Sequence, residues 1–344
     1  MMISARFRKL KSAMHRTGLR ILKTTVGIQS NTRLLLPKFP LKIEVKSLLT
    51  DFHDVAEIPF SSNLDGQIVL TNATSAAATF SRSEKKAVVR GPLVGLERRA
   101  SDLRFSLWGN QGFLYRFILY LLEAKHRIFS LHACGLYDEK RNILYIIAGG
   151  AGSGKTVYLL SGLLRGLKLF STETVHFRST EKGLVWFKGS LVDNVRLGTL
   201  VHDFPQFLPR RVREIGKRDL WQKKIALNLT SYQFAADTLS SPRLIILFPR
   251  IEEGRKDSLV MSLDGSSLAA KTLFDNISQK IAESVVLYDR MAIPGFDDRR
   301  LAEARLRSSY RLVRHPSIIK IASVLSSPAE CWKNLPDGVQ RRRR

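Results

Sequence analysis

The sequence predicts an α/β fold built round a mixed β-sheet, with a β-rich part before it and a helical part after it. Three observations carry this. Asn142-Ile143-Leu144-Tyr145-Ile146-Ile147-Ala148 is a short apolar, β-branched and aromatic run that reads as a buried strand, and after an eight-residue loop the proline-free run from Val157 to Leu164 reads as a helix. Ahead of them Phe129-Ser130-Leu131-His132-Ala133-Cys134-Gly135-Leu136-Tyr137 reads as a strand, joined by only Asp138-Glu139-Lys140-Arg141. So short a turn forces an antiparallel pair, because a parallel crossover takes roughly a dozen residues or more. From Ser266 onward the pattern turns helical, with Leu268, Leu273, Ile277 and Ile281 as core candidates.

In chain order, residues 1–40 form a basic arm: no Asp or Glu precedes Glu44, whereas Arg6, Arg8, Lys9, Lys11, Arg16, Arg20 and Lys23 do. Phe7, Leu10 and Met14 fall on one helical face, so the arm reads as an amphipathic helix for an anionic surface, an organellar transit peptide, or a loosely ordered solvated segment. Residues 41–110 form a β-rich region. The run from Leu41 to Lys46 alternates apolar with charged residues, and Gln67 to Leu70, Ala78 to Phe80 and Ala87 to Val89 are further strands. Residues 111–265 form the core. It opens with a helix from Leu114 to Lys125, whose broad apolar face holds Leu114, Phe117, Ile118, Leu121 and Leu122. After the central hairpin, Gly183 to Phe187 and Val195 to Val201 read as strands, the latter ending at Asp203. Phe204 to Lys224 is basic and proline-containing, a segment for phosphates or an acidic substrate, or a solvated face. Leu244 to Phe248 is a buried strand, with Ser258 to Leu263 as its neighbour. Residues 266–344 form a helical C-terminal region with a charged helix from Arg299 to Arg311 and a tail ending Arg341-Arg342-Arg343-Arg344.

The loop between the central strand and its helix is Gly149-Gly150-Ala151-Gly152-Ser153-Gly154-Lys155-Thr156. It fits the phosphate-binding pattern G-x-x-x-x-G-K-[ST] in the strand–loop–helix context that pattern requires. Glycines let successive N–H groups point inward, the following helix adds its positive end, a lysine reaches the β- and γ-phosphates, and the threonine hydroxyl meets Mg²⁺. The loop is therefore expected to bind ATP or GTP with Mg²⁺.

The chain has 344 residues, 44% hydrophobic and 25% charged, as an ordinary globular protein does. The 56 Lys+Arg against 30 Asp+Glu give net charge +26, a field that draws in nucleotides, nucleic acid, acidic lipid or acidic peptides. Cys134 and Cys331 make no disulfide framework, and no Cys/His spacing reads as a zinc site. The apolar segment from Phe113 to Leu122 contains Arg116 and is too short to cross a bilayer. A cytoplasmic location is expected, with peripheral membrane association through the basic ends as its variant.

His132 one strand upstream, the hairpin, the glycine loop, a helix, and then Arg165-Gly166-Leu167-Lys168-Leu169-Phe170-Ser171-Thr172-Glu173-Thr174-Val175 together resemble the catalytic domain of the HPr kinase/phosphorylase family, whose fold is similar to phosphoenolpyruvate carboxykinase. The resemblance runs from about Leu131 to Val175 and more loosely to about residue 265. It implies a kinase that transfers the γ-phosphoryl group of ATP to a hydroxyl of a peptide, protein or small molecule, with an oligomeric state left open. The family's paired aspartates fall on Thr172 and Glu173, so Glu173 is left as base or metal ligand, with Thr156 on the metal and His132 positioning the acceptor or orienting Glu173. On its residues alone, His132 reads rather as a satisfied core histidine, and Asp203 is a rival metal carboxylate. The loop continues Thr156-Val157 where the bifunctional enzymes have Ser-Glu, and their C-terminal signature is missing, so HPr is not the expected substrate. Two alternatives remain: a nucleotide-binding protein without transfer, which Thr172 permits, and a basic nucleic-acid or membrane-surface protein gated by nucleotide.

Overall fold

The computed structural model describes residues 14–37, 52–61, 63–74, 77–209 and 220–333. The first of two large sheets contains β1 (His15–Ile21), β2 (Thr24–Ser30), β3 (Val55–Ile58), β4 (Gly66–Asn72), β5 (Thr79–Arg82) and β6 (Lys86–Gly91), in the order β3-β1-β2-β4-β6-β5. Two helices follow, α1 (Leu93–Arg99) and α2 (Phe113–His126). Leu19, Ile21, Val26, Ile28, Ile68 and Leu70 meet Phe117, Ile118 and Leu121 of α2 in one apolar core. Strand and helix periodicities thus place complementary faces against each other.

The second sheet has nine strands. Its members are β7 (Phe129–Asp138), β8 (Ile143–Ala148), β9 (Lys168–Ser171), β10 (Thr174–Thr180), β11 (Gly183–Phe187), β14 (Thr238–Ser240), β15 (Arg243–Ile251), β16 (Leu259–Ser262) and β19 (Ile318–Ser326). The order is β14-β11-β10-β7-β8-β15-β19-β16, with β9 also on β7. β8, β15 and β19 run parallel, and the remaining pairings are antiparallel. The sheet is mixed, as the short turn after Tyr137 predicts.

Helices cover both faces, which is why β15 is apolar throughout its middle. Leu244 and Ile246 face the core shared with α5 (Ser267–Ala282) and α6 (Arg299–Val313). Ile245 and Leu247 face α3 (Lys155–Leu164) and α4 (Leu197–His202). Beside α3, β12 (Val192–Arg196) and β13 (Lys224–Asn228) pair as a separate ribbon, as do β17 (Val285–Leu287) and β18 (Met291–Ile293) ahead of α6. No helix of the described residues is long and apolar enough to cross a membrane, and Cys134 and Cys331 are free and buried.

Several expectations are corrected. The basic arm does not extend to residue 40: Arg16, Arg20 and Lys23 lie in the β1–β2 hairpin, whose Leu19, Ile21 and Val26 are fully buried and outweigh the charges. Phe7, Leu10, the strand expected from Leu41 to Lys46, all the basic segment's arginines and the Arg341–344 tail lie outside the described residues. The run from Val195 to Val201 is the end of β12 followed by α4, not one strand. β16 pairs with β19 rather than with β15. β19 also makes the C-terminal region more than helical, since it enters the sheet between β15 and β16. Leu268 is 55% exposed, whereas Leu273, Ile277 and Ile281 are buried.

Candidate active site

The glycine loop leaves the buried end of β8 and enters α3 at Lys155. Gly152 and Gly154 have φ of 81° and 101°, a left-handed backbone that glycine adopts without penalty. A Cβ on Gly154 would sit 2.2 Å from Ile251 Cγ1, so the end of β15 presses on the loop from below. A Cβ at Gly150 or Gly152 would meet nothing within 4 Å, so the loop stands open above. The Lys155 ammonium folds back over it and donates to the carbonyls of Gly149 at 2.8 Å and Gly150 at 3.0 Å. Ser153 Oγ is buried without a hydrogen-bond partner, an orphaned polar atom within the cradle.

Three other segments bring acids and a base to this loop. Thr156 Oγ1 donates to Asp193 Oδ2 at 3.1 Å, and Asp193, on β12, is only 2% exposed. Glu173 lies in the turn between β9 and β10, its side chain 29% exposed, with Oε2 3.6 Å from His132 Nε2. The two carboxyls are close enough to influence each other's charge, so they titrate as a pair. Burial and the neighbouring Glu173 charge push Asp193 well above the carboxylate range, and its hydrogen bond to Thr156 only partly offsets this. Burial opposes ionisation of Glu173 too, but the His132 imidazole and the Lys155 ammonium prevail and hold it below its ordinary value. Of the two, Glu173 is the more accessible.

His132 is set from the other side. Its ring Nδ1 lies 3.0 Å from Gln279 Oε1, and its backbone meets Asn276, both on α5. The sequence places His132, the loop and Glu173 together correctly. It misses Asp193, Gln279 and Asn276. Asp203 is not in the cluster: it ends α4, and its charge interacts with His202 and Glu253. Thr172 is 2% exposed and turned inward, its hydroxyl 3.2 Å from Ser190 O and 2.9 Å from Val192 O. Asp193 lies one residue beyond Val192, whose carbonyl Thr172 anchors. Among the described residues no group of three or more His, Cys, Asp and Glu side chains is arranged to hold a metal ion unaided.

No family model matches the chain, and no curated protein matches it.

Proposed function

We propose that the protein is a nucleotide-dependent phosphotransferase of the HPr kinase-like type, moving the γ-phosphoryl group of ATP to a hydroxyl of a peptide, protein or small molecule. One observation carries this: two carboxyls, Asp193 and Glu173, converge on the lysine–threonine end of an open glycine loop. Phosphoryl transfer needs positioning and charge neutralisation more than covalent help. The loop amides, the start of α3 and Ser153 Oγ cradle the phosphates. Lys155 exchanges its two carbonyl partners for β- and γ-phosphate oxygens.

Mg²⁺ suits a donor set of one hydroxyl and two carboxyls, because it takes one or two carboxylates and completes its shell with phosphates and water. Thr156, Asp193 and Glu173 would hold it, and it would supply charge neutralisation on the bridging oxygens. Glu173, ionised and partly exposed, accepts the acceptor's hydroxyl proton as that oxygen bonds to phosphorus and the bond to the β-phosphate oxygen breaks, releasing ADP. The reading as a binder without transfer rests on Thr172. It loses force here, because Asp193 supplies the second carboxyl.

Incubation with γ-labelled ATP and a source-cell lysate tests the proposal. Glu173→Gln keeps the shape and is expected to lower transfer by about 10²–10⁴-fold with nucleotide affinity little changed. Transfer insensitive to Glu173→Gln overturns the role of Glu173, and a wild type that binds ATP without transfer leaves the nucleotide-binding alternative.

A further inference from the structure

β7 changes partners at His132. Residues 129–132 pair with β10, and residues 133–138 pair with β8. β8 ends at Ala148, opposite Ala133, and the chain then turns away into the glycine loop. At His132 the backbone has therefore run past the end of its neighbour, and a buried N–H left there would be costly. α5 fills the gap. Asn276 Oδ1 accepts from the His132 amide at 2.9 Å, and Asn276 Nδ2 donates to the His132 carbonyl at 3.1 Å. The same carbonyl accepts from the Gly149 amide at 3.2 Å, so one peptide group ties α5 to the first residue of the loop.

Gln279 lies one turn further along the same face of α5. Its Oε1 is 3.0 Å from His132 Nδ1, while Nε2 at the far side of the ring lies 3.6 Å from Glu173 Oε2. An amide oxygen only accepts, so Nδ1–H donates to Gln279 and the ring is held with its Nε2 edge towards the Glu173 carboxylate. A carboxylate at position 279 could accept the same bond, and an apolar side chain could not.

We propose that Gln279 is a positioning residue: its amide oxygen fixes the orientation of the His132 ring, and thereby the carboxylate of Glu173 beside the glycine loop. The catalytic consequence rests on the kinase reading above; the ring geometry does not. Asn276 holds the strand and Gln279 holds the ring, so Gln279 can be changed while the backbone clamp stays.

The test uses the full chain labelled with ¹⁵N-histidine, as wild type, Gln279→Leu and Gln279→Glu, with His132→Asn to assign the ring signals. The wild type is expected to show a hydrogen-bonded N–H at His132 Nδ1. Gln279→Leu, which offers no acceptor, should lose that signal's hydrogen-bond shift, and Gln279→Glu, whose carboxylate accepts, should keep it. In parallel, transfer from labelled ATP should fall in Gln279→Leu by up to about 100-fold in kcat, as displaced catalytic groups do, with KM for ATP unchanged. Ring signals in Gln279→Leu identical to wild type overturn the inference, whatever the transfer assay gives. Altered signals with kcat equal to wild type overturn its catalytic half. Altered signals in a protein whose wild type transfers nothing uphold the positioning and remove the kinase reading alone.

Discussion

The Thr172 hydroxyl donates towards the carbonyls of Ser190 and Val192, and its own amide donates to Ser190 O at 2.8 Å. These contacts pin the entry to β12, where Asp193 follows. Thr172→Asp would aim a buried carboxylate at two carbonyl oxygens. It is expected to lower unfolding free energy by about 3 kcal/mol, the scale of an uncompensated buried charge, without raising transfer. Thr172→Val, which only removes the donor, should cost about 1–2 kcal/mol. Urea unfolding of the three proteins measures both. His176 gives a second test at this scale. It is fully buried on β10, its Nδ1 on Ser130 Oγ and its Nε2 unpartnered, and burial pushes its pKa down to about 3. The ring is neutral when folded but takes a proton when unfolded below about pH 6.5. Its contribution is thus complete above that pH and is lost as pH falls. Between pH 6.5 and 5 the loss should be about 2 kcal/mol. His176→Phe, packed on Phe52 in place of the stacked imidazole, should remove that part of the acid sensitivity in urea titrations at the two pH values.

At the scale of elements, the site is assembled where strands stop. β8 ends in the loop, β9 ends two residues before Glu173, β7 first meets β8 just after His132, and β12 begins beside Asp193. The strand–loop–helix unit and the hairpin before it were legible because their periodicity and turn residues are local. Glu173 was legible through its resemblance to a known motif. Asp193 was not: it follows Gly189 and Ser190 in a stretch without periodicity, and its contact with Thr156 spans 37 residues. Asp203 drew notice instead because residues 195–201 look like one apolar strand, although Gly198 sits within α4 under the Trp221 ring. Short apolar runs do not distinguish strand from helix by pattern alone. Gln279 and Asn276 were hidden for another reason. Their neighbours Leu273, Ile277 and Ile281 mark the core face of α5, and nothing in one sequence says which strand the polar pair will meet.

Across the whole molecule, the two large sheets and their helices are joined by a buried charge network. Arg305 of α6 is fully buried and donates to Glu123 of α2 at 2.8 Å, to Ser278 of α5 at 3.0 Å and to Asp297. Arg116 of α2 adds bonds to the carbonyls of Lys280 and Glu283 at the end of α5. The helix that seats His132 is thereby fixed to the helix that backs the first sheet. Arg305→Met removes one partner and leaves Glu123 buried beside an apolar side chain, so it should cost about 3–5 kcal/mol in urea unfolding. The net charge of +26 bears on partners rather than on this frame.

The account stands or falls on whether the glycine loop holds a nucleotide. Titration calorimetry of Mg²⁺–ATP into the full chain, as wild type and Lys155→Ala, measures this directly. The Lys155 ammonium is the cation placed over the loop, and charge-assisted bonds of this kind are worth about 1.5–3 kcal/mol each. Saturable binding by the wild type, weakened by about 10-fold or more in Lys155→Ala, is the predicted result. Equal affinity in the two proteins, or no binding by either, would contradict it.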